Sequence, residues 1–214
     1  EGTALITGAS AGIGADYARY LAARNYDVIL TARRTPRLNK LAKELEKAHG
    51  IKATVISADL AKPDASAKLA AEIKKRRLQV DYLVNNAGYS KISKFSKAKW
   101  KDQADMLQVM VTAVTELANI FVPDMVKRGR GLIVNVASVA AYLPGSAGDP
   151  LYAPVKAYVK SFSQSLYREL KPLGVNVIAL CPGYTYTEIH DVSGTRDVMN
   201  RYPKFIWLTA PRVV

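Results

Sequence analysis

The chain is 214 residues long, 49% apolar, and basic, with 31 Lys and Arg against 18 Asp and Glu and a net charge of +13. That length suits one domain able to hide about 70% of its unfolded surface, and its one cysteine, Cys181, excludes an internal disulfide, so the fold does not depend on an oxidising compartment. No continuous run reaches the ~18 apolar residues of a membrane span and no leader is visible; a cytoplasmic protein is the expectation, with an upstream segment left open because Glu1 already abuts a strand.

The positive charge is dispersed over Arg33-Arg34, Lys74-Lys75-Arg76-Arg77, Lys91 to Lys101 and Lys127-Arg128. No aromatic interleaving suggests a platform for stacking bases, so no nucleic-acid partner is expected. It reads as a solvated surface that also attracts an anionic cofactor.

In chain order, a short buried strand is expected at 3–7. It runs into Gly8-Ala9-Ser10-Ala11-Gly12-Ile13-Gly14 and a helix over 13–24. Glycines let the backbone approach a ligand closely, and the free N–H groups of a helix N-terminus favour an anion. A second strand over 27–32 leads to Arg33-Arg34 and a helix over 35–48. An acid at the end of that strand would bind the adenosine ribose of NAD, whereas Arg accommodates the 2′-phosphate of NADP. No Asp or Glu occurs between Asp27 and Glu44, so Arg33 is the first choice for the phosphate and Arg34 the second. A third strand over 53–57 is followed by Asp59-Leu60, where Asp59 is open to two roles, contacting adenine and capping the next turn.

A helix over 64–77 and a strand over 81–85 bring the chain to Asn85-Asn86-Ala87-Gly88. A long helix over 98–128 precedes a strand over 131–136 that ends near Ser138. The last helix, 151–171, should begin close to Tyr152, because Pro154 is tolerated only in a first turn. A strand over 175–180 then meets Pro182-Gly183. Strands alternating with helices argue for an α/β fold with a parallel sheet covered on both faces.

Tyr152 and Lys156 are spaced i, i+4 and share a helix face. A phenol titrates near ~10 alone, and an adjacent ammonium is expected to pull it down toward neutrality. Such a pair is matched to an alcohol or carbonyl oxygen, which Ser138 could also contact.

With those residues in place, the chain resembles the short-chain dehydrogenase/reductase family. Thr7-Gly8-Ala9-Ser10-Ala11-Gly12-Ile13-Gly14 is similar to its cofactor turn, Asn85-Asn86-Ala87-Gly88 to the motif after its fourth strand, Ser138 with Tyr152 and Lys156 to its catalytic positions, and Pro182-Gly183 to the pair after its sixth strand. The resemblance implies a Rossmann-like doubly wound sheet in a three-layer α/β/α single domain. It implies NADP(H), no metal, and hydride transfer to or from a small, partly apolar carbonyl or alcohol substrate. Tyr152 would move the proton, Lys156 would also hold the nicotinamide ribose, and Ser138 would polarise the substrate oxygen. Gly8, Ser10, Gly12, Ile13, Gly14, Arg33, Arg34, Asp59, Leu60, Asn86, Ala87 and Gly88 would bind cofactor, with Pro182, Gly183, Thr185 and Thr187 closing over the nicotinamide.

A segment at about 185–210, with Ile189, His190, Met199, Tyr202, Phe205 and Trp207, would form much of the substrate pocket, His190 as wall or surface rather than catalyst. The chain ends about where the family has a further helix and strand that build subunit contacts; a homo-oligomer is the family expectation. One position departs from the pattern. The family has an Asn on the long helix, 13 residues before a proline that ends it, and that Asn props a water behind the Lys; counting back from Pro123 gives Met110, within Leu107-Gln108-Val109-Met110-Val111-Thr112, and Met offers no comparable donor or acceptor. Two function classes stay open: an NADP(H)-dependent oxidoreductase, and a cofactor-binding sensor or scaffold with little turnover.

Overall fold

Along the central strands, alternate apolar side chains enter different cores. Ala4, Ile6, Val28, Leu30, Val84 and Val134 pack on one face of the sheet; Leu5, Ile29, Leu83, Ile133, Val175 and Val177 pack on the other. Successive strand residues point to opposite faces, so continuous apolar runs such as Leu5-Ile6 and Val28-Ile29-Leu30 require cover on both sides. The computed structural model describes residues 2–145, 147–188, 203 and 207–214.

The sheet contains β1 (Thr3–Thr7), β2 (Asp27–Thr31), β3 (Ala53–Val55), β4 (Tyr82–Asn85), β5 (Gly131–Val136) and β6 (Val175–Leu180), all parallel, in the order β3-β2-β1-β4-β5-β6. This is the doubly wound arrangement the alternation implied. The helices α1 (Gly12–Ala22) and α2 (Thr35–His49) bury Leu21, Leu38, Leu41 and Leu45 on the first face. On the second lie α3 (Ala65–Lys75), α5 (Ala113–Lys127) and α6 (Tyr152–Leu170), through Leu69, Ile73, Leu117, Phe121, Met125 and Leu170.

The strand order reverses between β1 and β4, and ligands of such sheets bind at that switch point, outside the carboxyl ends of the strands. A buried polar chain sits beside it. Asn85 Nδ2 donates to Asn135 Oδ1 at 2.9 Å, Asn135 Nδ2 donates to the Ser163 hydroxyl at 2.9 Å, and that hydroxyl donates to the Val159 carbonyl at 2.7 Å. It ties β4, β5 and α6 together directly behind the ends of those strands.

Three details depart from the expected elements. The long helix over 98–128 is α4 (Trp100–Leu107), a π-helical turn over Gln108–Thr112, and α5. Pro123 lies inside α5 rather than ending it, and the helix runs on to Lys127, held by the burial of Phe121 and Met125. The run Trp100–Lys127 is also long and apolar enough to cross a membrane by length and composition, with mean hydropathy 1.4; here one face of it packs on the sheet. After β6 a small parallel pair forms from β7 (Thr185–Tyr186) and β8 (Leu208–Thr209), with Trp207 stacked on Tyr186 at 4.6 Å between ring centres.

Candidate active site

The turn after β1 is built by Thr7 and two glycines. The Thr7 hydroxyl donates to the Val84 carbonyl and accepts from the Asn86 and Ala87 backbone amides at 2.9 and 3.0 Å. Asn86 Nδ2 donates back to the Thr7 carbonyl at 2.9 Å. The two strand ends on either side of the switch point are thereby locked together. Gly8 adopts φ +66°, and a Cβ there would meet the Ala87 Cα at 2.9 Å; a Cβ on Gly14 would lie 2.6 Å from the Gly8 carbonyl oxygen. Only glycine fits either place. The N-terminus of α1 begins at Ala11 with no side-chain cap, so its amides are open to an anion.

At the other side of the switch point, Ala137 N donates to the Leu180 carbonyl and Val139 N to the Pro182 carbonyl, at 2.7 and 2.9 Å. These bonds set Ser138 beside Pro182-Gly183. The Ser138 hydroxyl accepts from Ala140 N at 3.1 Å, capping a 3₁₀ turn over Val139–Tyr142. Helix α6 begins at Tyr152, as Pro154 requires. Lys156 is buried; its Nζ donates to the Val136 carbonyl at 2.8 Å and lies 5.7 Å from the centre of the Tyr152 ring.

The acidities differ from the expectation. Burial pushes the Tyr152 phenol up; the Ser138 hydroxyl pulls the other way, and the charge of Asp149 adds to the rise. Burial pushes the Lys156 ammonium down to about 8, against an opposing effect of Cys181. The i, i+4 pairing does not bring the phenol toward neutrality here, because desolvation disfavours the charged form of both groups.

Ser138, Tyr152 and Lys156 share one cavity of about 540 Å³ with the glycine turn. Of the residues expected to bind cofactor, Gly8, Ser10, Gly12, Ile13, Arg33, Arg34, Asp59, Leu60, Asn86, Ala87, Gly88, Pro182, Gly183, Thr185 and Thr187 line it. Gly14 does not, being packed behind the wall under Gly8. Asp59 lines the cavity and accepts from Ala61 N at 3.2 Å, which caps the turn that follows. Arg33 makes no hydrogen bond or ion pair among the described residues. Arg34 is engaged: its Nε and Nη2 donate to the Ser10 hydroxyl, both at 3.1 Å, and its Nη1 to Glu188 at 2.8 Å. The donor set fits a dinucleotide: a helix N-terminus with no side-chain cap, glycines whose Cβ atoms would fill the cradle, and the Arg33 guanidinium at one end.

Several lining residues had no sequence signal of their own: Tyr89, Ser90, Ile92, Leu143 and Tyr184; Asp149 and Glu188 line the cavity as well. Asp149 could have been found as the one acid in the loop ahead of Tyr152. Met110 is buried in the π-helical turn, in a cluster with Met106, Val109 and Val155. Cys181 is half-buried, its thiol 3.8 Å from the Ala179 carbonyl. Ile189, His190, Met199, Tyr202 and Phe205 lie outside the described residues, so most of the expected pocket segment does too. Among the described residues no cluster suits a metal ion.

The pattern of the family described as short chain dehydrogenase matches residues 2–197. Serine 3-dehydrogenase of Agrobacterium fabrum is 35% identical over 190 residues, 88% of this chain and 74% of that protein. Among solved structures, a short-chain dehydrogenase from Sphingobium yanoikuyae in complex with NADPH superposes with a TM-score of 0.92 at 34% identity, over 100% of this chain and 81% of the other. The bulky-bulky ketone specific alcohol dehydrogenase from Comamonas testosteroni gives 0.86 at 30% identity, over 100% and 79%. With its six-stranded doubly wound sheet and this match along nearly its whole length, the chain belongs to the short-chain dehydrogenase family of oxidoreductases.

Proposed function

We propose that the protein is an NADP(H)-dependent oxidoreductase that reduces a small carbonyl compound, with Tyr152 as the proton donor. The observation that carries this reading is the single cavity that holds Ser138, Tyr152 and Lys156 at one end and, at the other, Arg33, which makes no hydrogen bond or ion pair among the described residues. The glycine turn and the N-terminus of α1 would hold the pyrophosphate, Arg33 the 2′-phosphate, and Asp59 with Leu60 the adenine. When bound, the nicotinamide supplies hydride chemistry. The Ser138 hydroxyl would hold the substrate oxygen, and Tyr152 would give that oxygen its proton. A phenol raised by burial keeps its proton through neutral pH, which suits a general acid and the direction of reduction. Lys156, anchored on the Val136 carbonyl, orients the site from behind Tyr152.

NADPH-bound relatives of the same fold support the cofactor assignment. The test is Arg33→Glu. NADPH binding should weaken by at least the ~1.5–3 kcal/mol of a charge-assisted hydrogen bond, with NADH affected far less. Equal losses for both, measured by calorimetry, would reject the assignment. One observation favours a second reading, a cofactor sensor with little turnover: Met110 fills with apolar atoms the place from which an Asn would prop a water toward Lys156. Steady-state turnover of NADPH with a panel of ketones separates the two.

A further inference from the structure

Asp149 stands in the wall of the same cavity, three residues before Tyr152, and the chemistry above gives it no task. Its Oδ2 accepts from the Ser90 hydroxyl. Its Oδ1 has no partner among the described residues. It is not a helix cap, since α6 starts with no side-chain cap. No Lys or Arg among the described residues neutralises it; Lys91, next to Ser90, is committed to Asp102 at 2.6 Å. Among the described residues, Ile92, Val139 and Leu143 give the same cavity apolar lining beside the hydroxyls of Ser138 and Tyr152. Left alone, its charge opposes ionisation of Tyr152. A carboxylate with no cationic partner among the described residues, at the reacting end of the cavity, is balanced by a cation that arrives with the ligand.

We propose that Asp149, held by Ser90, recognises a protonated amine on an otherwise apolar substrate, so that the site takes amino alcohols and amino ketones and turns away carboxylates. This rests on the Tyr152 end of the cavity being the reacting end. A hydroxyl is a weaker, neutral donor to the same oxygen, and a carboxylate in that place meets a like charge.

Three alcohols of one shape decide it: 2-amino-1-phenylethanol, 1-phenyl-1,2-ethanediol and mandelate. Their Kd values are measured by calorimetry on the protein loaded with NADP+. The amine should bind at least about tenfold more tightly than mandelate, with the diol between, and added salt should shrink the spread. Asp149→Asn keeps an acceptor for Ser90 and removes the charge; it should erase the amine's advantage over the diol. Mandelate or the diol binding as tightly as the amine to the native protein would overturn the proposal without any variant. So would an Asn variant whose amine-to-mandelate ratio stays within about twofold of the parent. NADPH formation from the three alcohols is scored separately: the binding order without turnover would count against the oxidoreductase reading, which the panel of ketones decides, and would leave the amine site standing.

Discussion

Glu188 joins two arginines that are far from it in sequence: Oε2 accepts from Arg34 Nη1 at 2.8 Å and Oε1 from Arg37 Nη1 at 2.5 Å. The bond to Arg34, then that to Arg37, holds the carboxyl below its ordinary range. A carboxylate therefore stands on Arg34, at the end of the cavity where a 2′-phosphate would seek the same donors.

Glu188→Gln removes that competing charge and keeps a hydrogen-bond acceptor. All three side chains are about half exposed, so each pair is worth only about 0.2–1 kcal/mol. NADPH binding should tighten by about two- to fivefold, with NADH unchanged. Calorimetry on both cofactors checks it. A loss of NADPH affinity would mean instead that Glu188 sets the arginines in the position that the phosphate needs.

Tyr152→Phe removes one hydroxyl from a residue whose ring stays packed at the start of α6. The melting temperature and NADPH affinity should survive, while turnover drops by about 10²-fold or more, the scale of lost acid–base catalysis. Turnover within a few-fold of the parent would show that another group moves the proton.

Lys156 supplies a test through pH. Its folded-state value of about 8 lies below the ~10.4 of a free lysine. Below pH 8 both folded and unfolded chains carry the proton, and the burial penalty is present in full. Between about 8 and 10.4 the unfolded chain holds a proton that the folded one has released, so folding gains as pH rises. Lys156→Met lacks this titration. The native protein should thus gain melting temperature relative to the Met variant as pH climbs through that window, whatever the offset from leaving the Val136 carbonyl without its donor. A difference independent of pH would show that Lys156 is not desolvated in solution.

The fold was legible because its strands are buried on both faces, which writes unbroken apolar runs such as Leu5-Ile6 and Ile133-Val134 into the sequence. The glycine turn and the Tyr152–Lys156 pair were legible because each is local. What escaped was set by distance in the chain: Glu188 meets Arg34 across 154 residues and Ser90 meets Asp149 across 59, and no spacing announces either. The direction of the Tyr152 shift escaped for a different reason. Spacing puts an ammonium near the phenol but says nothing of how dry both become. The family pattern makes Pro123 a helix end, yet burial of the residues around it carries α5 past the amide that a proline lacks.

Met110 is the position where the sequence departs from its family, and the structure says what stands there. It is almost wholly buried in the π-helical turn, with Ala87, Tyr89, Leu151 and Tyr152 packed around its cluster. A Cβ added at Gly88 would lie 3.4 Å from its Cε, so the thioether fills the space directly behind a cavity-lining glycine. Met110→Asn exchanges those contacts for an amide. Left without partners, a buried amide costs roughly 1–3 kcal/mol, and each kcal/mol lowers the melting temperature by about 2–4 °C in a chain of this size. An amide that finds water or a carbonyl would spare most of that loss. Because Met110 does not line the cavity, substrate preference should not change, and turnover of an active parent should move by less than about tenfold. Melting temperature and NADPH turnover on one ketone, for both forms, check this together. A native protein inactive on every carbonyl tested, beside an Asn variant that gains turnover, would replace the oxidoreductase reading with the sensor. A stable but inactive Asn variant of an active parent would show that Met110 supports Tyr152 by packing, a task the amide cannot perform.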